Sequence, residues 1–147
     1  MSSNNVNYEL ERGSVGMGIR CYKTTLKASD FTDSSTTGKK TLTEVLPAGS
    51  FYIGCRAAVS VAFDEDTAAN MTVGKTDGED EFSDGTSLSL LTVATVGQEG
   101  EAPLEFLASA TTVYLRITTS TDYTLCYDSD GEFTLYLYYL STVPEMG

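Results

Sequence analysis

Among the groups with which this chain could do chemistry are 21 carboxylates, three thiols and nine tyrosine hydroxyls, and histidine is absent. Without imidazole, Ser-His-Asp and Cys-His nucleophile systems are impossible within the chain, and His-rich zinc sites go with them. The thiols Cys21, Cys55 and Cys126 are far apart, odd in number and set in strand-like runs, with no CxxC pair. That spacing supports neither a disulfide framework nor a metal knuckle. It fits buried thiols acting as small hydrophobes.

Nine of the carboxylates fall in three turns: Asp64-Glu65-Asp66, Asp77-Gly78-Glu79-Asp80-Glu81 and Asp128-Ser129-Asp130-Gly131. Calcium takes six to eight oxygens in a defined cage. None of the three turns has the spacing of a calcium-binding helix-loop-helix. Acids beside glycine are also the ordinary chemistry of exposed turns, and these are read as structural. Glycoside hydrolysis needs two acids facing across a cleft. The spacing sets up no such pair, and the chain has no Trp to stack on a sugar ring. No enzymatic activity, metal or cofactor is expected.

The tyrosines are more informative. Tyr52, Tyr114, Tyr136 and Tyr138 fall opposite the aliphatic stripes of their strands. If those stripes face the core, the rings face outward, either as a contact surface or under a covering loop or arm; Tyr is enriched where proteins meet. Tyr8 and Leu10, in the polar N-terminal segment, join them as candidate partner contacts.

The elements that carry these rings are strands. After the turn Leu46-Pro47-Ala48-Gly49, the residues Phe51, Ile53, Cys55, Ala57, Val59, Val61 and Phe63 alternate with Tyr52, Gly54, Arg56, Ala58, Ser60 and Ala62. A two-residue period over that length predicts a long half-buried strand. Val113, Leu115 and Ile117 alternate with Tyr114, Arg116 and Thr118; Phe133, Leu135, Leu137 and Tyr139 alternate with Thr134, Tyr136, Tyr138 and Leu140. Shorter strands are expected over 19–28, 41–46, 70–74, 104–107 and 123–127, a polar loop over 29–40, and either a strand or an irregular crossing over 88–96. About eight strands, turn signals at sandwich-like spacing and no convincing amphipathic helix predict an all-β, antiparallel two-sheet sandwich, jelly-roll-like. Residues 1–18, polar and with little alternation, read as a flexible arm, 19–142 as the sandwich and 143–147 as a short tail.

At 147 residues the chain suits one domain, and 41% hydrophobic against 20% charged residues is enough for a core. No apolar run is long enough to span a bilayer, and the N-terminus lacks the basic start and apolar stretch of a secretory signal. A soluble protein made in the cytoplasm is expected, with no membrane partner. A net charge of -12 argues against nucleic acid, which is gripped by clustered Lys and Arg.

The Leu46-Pro47-Ala48-Gly49 turn, the strand ending Ala62-Phe63-Asp64, the Met71-Thr72-Val73-Gly74 element and the closing Phe133-Thr134-Leu135-Tyr136-Leu137-Tyr138-Tyr139-Leu140 run resemble small structural proteins of tailed bacteriophages. The likeness covers roughly Leu46 to Leu140; Ser83 to Thr112 match poorly, and Lys75 stands where an acid often follows the glycine. The resemblance implies a jelly-roll-like domain of the kind found in head decoration (cement) proteins and in tail or fibre modules, commonly trimeric. It implies a major capsid protein and further copies of this chain as partners, and the capsid exterior of a virion assembled in the host cytoplasm as location. A tail-fibre or baseplate module binding a host glycan is the alternative.

Overall fold

The computed structural model describes residues 18–63, 66–83, 88–102 and 104–141. Among these residues ten strands run in chain order: β1 Gly18–Lys27, β2 Thr32–Ser34, β3 Thr37–Leu46, β4 Ser50–Val61, β5 Ala69–Gly74, β6 Leu88–Ser89, β7 Thr95–Glu99, β8 Glu105–Leu107, β9 Thr111–Thr119 and β10 Glu132–Ser141. They form two antiparallel five-stranded sheets. The first has the order β1-β10-β4-β7 with β8 also on β4, and the second the order β2-β3-β9-β5-β6. The chain passes repeatedly from one sheet to the other, and the first described strand pairs with the last over Gly18↔Ser141 to Lys27↔Glu132. This is the jelly-roll-like sandwich expected.

Between the sheets the inward residues of β9 and β10 interlock: Val113, Leu115, Ile117, Phe133, Leu135 and Leu137 are all buried, with Met71, Val73 and Phe63. Side chains alternate across a strand, so each such row leaves a second row on the outside.

Three local expectations need correction. Residues 123–127 form a short helix, α1 (Tyr123–Tyr127), rather than a strand. The Asp122 carboxylate accepts from the Thr124 backbone N–H at 2.9 Å and caps it. One side of α1 then buries Tyr123 and Cys126, and the Tyr123 hydroxyl donates to the Ala28 carbonyl at 2.7 Å. Its ring lies so close to β3 that a Cβ on Gly38 would meet it at 2.5 Å; only glycine fits there. The polar loop expected over 29–40 contains β2 and the start of β3, paired as a hairpin. The 88–96 stretch contributes β6 and the start of β7, with an irregular crossing between them.

The third correction concerns β4. Tyr138 pairs with Gly54 but Tyr139 pairs with Tyr52, which leaves Ile53 as the extra residue of a β-bulge. The bulge changes the parity of the strand. Beyond it Cys55, Ala57 and Val59 point inward as expected, but before it the buried residues are Ser50 and Tyr52, and Phe51 is turned out. A second register shift, near Glu132 and Phe133, leaves Val61 exposed.

Candidate functional site

Tyr52 is therefore not a surface residue. Its ring stacks on Phe82 at 4.0 Å, and its hydroxyl donates to the Phe82 carbonyl at 2.7 Å. Burial pushes its pKa well above the ordinary tyrosine value. The neighbouring Cys55 thiol is pushed up to about 11 by the same burial, so it stays protonated at neutral pH. This pair belongs to the core.

Tyr136 and Tyr138 do face outward from β10, half-buried, with ring centroids 6.3 Å apart and planes within 7° of parallel. Arg56 on β4 lies across them, its guanidinium carbon 4.2 Å from the Tyr136 centroid and 5.9 Å from that of Tyr138. Lys23 on β1 approaches Tyr136 from the other side at 5.7 Å. The register explains this cluster, because Lys23, Tyr136 and Arg56 are directly opposite one another on three adjacent strands.

The same register builds an apolar row toward one end of this face. Ile19 pairs with Leu140, Leu140 with Phe51, and Phe51 with Phe106. The Phe51 and Phe106 rings are 5.1 Å apart. Ile19 is 69% exposed and Phe106 56% exposed, while Phe51 and Leu140 are half-buried. Four large apolar side chains in one cross-strand row, beside a tyrosine pair, make a contiguous sticky surface. Sequence reasoning missed this row because an unbroken alternation places Phe51 inside. Gly54 within the strand was the available signal, since an interior glycine often marks a bulge.

Tyr114 lies elsewhere. It faces outward on β9 in the other sheet, between Thr41 and Gly74. Its neighbour Arg116 pairs with Asp77 at 3.4 Å, and Lys39 reaches the same carboxylate at 3.8 Å. Gly78, at φ +84°, brings this loop so near the guanidinium that a Cβ would sit 2.8 Å from its carbon. The loop after β5 thus folds back over this face.

Tyr8 and Leu10 lie outside the described residues, as do Asp64 and Glu65. Of the expected contact residues the structure brings together Tyr136 and Tyr138, sets Tyr114 on the opposite face and removes Tyr52 to the core.

Several carboxylates are engaged by the chain itself. Asp66 accepts from the backbone N–H groups of Thr67, Ala68, Ser120, Thr121 and Asp122, at 2.5 to 3.4 Å. Desolvation raises its pKa, but the donated hydrogen bonds outweigh it and hold the carboxyl at about 2. It therefore ties the loop before β5 to the loop before α1. A surface depression of about 530 Å³ lies between the 3-10 turn Ala28–Asp30 and α1, lined in part by Asp30, Asp33, Asp128 and Tyr127. There Asp30 accepts from the Lys27 N–H at 2.7 Å and Asp33 from the Thr124 hydroxyl at 2.5 Å. Among the described residues no three acids or thiols converge as a metal site.

The outward face of the β1-β10-β4-β7 sheet can bind by shape and desolvation. No family model matches the chain, and no curated protein matches it.

Proposed function

We propose that this is a non-enzymatic structural protein of a tailed-bacteriophage virion, a capsid decoration protein that binds between major capsid subunits as a homotrimer. One observation carries the reading: the outward face of the β1-β10-β4-β7 sheet, with its Ile19–Leu140–Phe51–Phe106 row beside the Tyr136–Tyr138 pair. The virion setting rests on the motif resemblance given above.

Cementing asks little chemistry of a protein. It must bury area against two neighbouring shell subunits so that separating them also exposes that area. Apolar burial contributes about 25 cal/mol per Å², so a handful of large side chains per copy, multiplied over a shell, suffices. Aromatic residues and Arg are the side chains that dominate such contacts. The surplus of negative charge favours solubility before assembly and repels packaged nucleic acid.

The test is binding to shells that lack the protein. Native mass measurement should give a trimer, and the trimer should co-sediment with those shells. A protein that stays monomeric at micromolar concentration and leaves the shells bare would sink the reading.

A second reading has its own support. The parallel Tyr136–Tyr138 rings with Arg56 also form a platform on which a sugar could stack, as a tail-fibre or baseplate module would use for a host glycan. Calorimetric titration with host polysaccharide separates the two, as does the position of a label on the particle, head or tail.

A further inference from the structure

Acids outnumber cations 21 to nine in this chain, and on the β2-β3-β9-β5-β6 sheet the outward Arg116 and Lys39 share Asp77. Arg56 on β4 does not follow that pattern. Among the described residues its guanidinium forms no ion pair and donates no hydrogen bond, and its Nε is buried without a partner. Lys23 forms no ion pair among them either. Glu99 lies opposite Gly54, two residues along from Arg56, and does not pair with it.

The guanidinium is held by its face, 4.2 Å from the Tyr136 centroid. Stacking uses the face of this planar cation and leaves the N–H donors at its edge for a planar acceptor. On the β7 side Gly97 is directly opposite Arg56, and a Cβ there would meet only the Cys55 carbonyl, at 3.6 Å. The residue across from Arg56 thus contributes no side chain to fill the space beside it.

We propose that this is the docking point for a carboxylate side chain of the shell subunit, accepting hydrogen bonds from the Arg56 guanidinium beside Gly97. Lys23 adds positive charge from the other side of the Tyr136 ring. The inference rests on the virion reading and names the chemistry of its partner. A single carboxylate fits better than a phosphate polymer, which needs clustered cations and is repelled by a net charge of -12. Tyr138 and then Leu140 are the next outward residues of β10, so the site runs into the Ile19–Phe106 row. An acidic side chain with apolar neighbours on a folded surface is complementary to both parts. Apolar contacts supply area with little orientation, and one charged pair beside them fixes the register on the partner.

The test measures co-sedimentation with shells lacking the protein. Arg56→Gln should weaken association about tenfold, and Arg56→Lys about threefold, because lysine keeps the charge without the fork. Gly97→Glu, which supplies a carboxylate within the chain, should weaken it about fivefold more than the equally large Gly97→Gln. Amidating the shell carboxylates with a carbodiimide and glycinamide should abolish the difference between the native chain and Arg56→Gln. Raising NaCl from about 0.1 M to about 1 M should shrink that difference, which a merely structural role would not do.

If the native chain binds shells and Arg56→Gln binds equally, or keeps its deficit on amidated shells, this inference fails and the virion reading stands. A native chain that leaves the shells bare sinks both. Loss of the trimer in Arg56→Gln would assign the carboxylate to a second copy. Polygalacturonate bound by the native chain and not by Arg56→Gln would assign the site to an acidic glycan. Either assignment overturns the proposal.

Discussion

The outward faces of the two sheets are woven from the same kind of alternating strand, yet the chain treats them differently. On the β2-β3-β9-β5-β6 sheet the outward Arg116 and Lys39 share Asp77, and a loop turning at Gly78 lies over them. That face is polar and partly covered by the chain. On the β1-β10-β4-β7 sheet the outward rows present Ile19, Leu140, Phe51 and Phe106 beside Tyr136 and Tyr138. Nothing among the described residues folds over the Ile19–Phe106 row. A sandwich core constrains only the inward rows. The outward rows are free to be spent on covering loops, as on one sheet, or on partners, as proposed for the other.

Substitutions can break this contrast. The largest effect is expected from Phe106→Asp, which sets a carboxylate at the exposed end of the apolar row, against Phe51. Shell association should weaken by about 2 kcal/mol or more, roughly 30-fold, with thermal stability nearly unchanged because the ring is more than half exposed. Equilibrium sedimentation with shells and a melting curve check both halves. If association survives, the contact face lies elsewhere.

Tyr52→Phe sharpens the contrast among the tyrosines. Losing the hydroxyl that donates to Phe82 should cost about 1–2 kcal/mol in urea unfolding and leave association intact. Tyr136→Phe should do neither, since it keeps the ring beneath Arg56.

The contrast can be measured only where the fold persists, and Asp66 helps to set the acid limit. Its folded pKa, about 2, lies below the ordinary 3.8, so the folded state favours the ionised form. Its contribution is complete above the ordinary value and is lost as pH falls from 3.8 through about 2. Urea midpoints followed over that interval should fall steeply in the native chain. In Asp66→Asn they should fall less steeply, from a lower starting stability.

A small effect is expected on the polar face. Arg116→Ala removes a partly exposed ion pair with Asp77 and should cost about 0.5–1 kcal/mol. Association should not change. A large loss of binding there would reverse the roles assigned to the two sheets.

Much of the architecture is legible in the residues. The alternation in 113–118 and 133–140 announces β9 and β10, and both lie at the centre of the sandwich with the expected side inward. Tyr136 and Tyr138 follow from that pattern alone. Tyr52 does not, because its direction depends on a single unpaired residue, Ile53, and a bulge is specified by the partner strand as much as by the strand itself. The helix at Tyr123 was hidden for a related reason: five residues are too few to show a period, and their helical form depends on the Asp122 cap and the space beneath Gly38.

Composition and patterning by themselves determined a β-sandwich without imidazole chemistry, since those properties are local and additive along the chain. Only the tertiary structure decided which rings share a surface. Neighbours on a sheet come from strands as distant as Ile19, Phe51, Phe106 and Leu140, and their meeting depends on register, which no single segment contains.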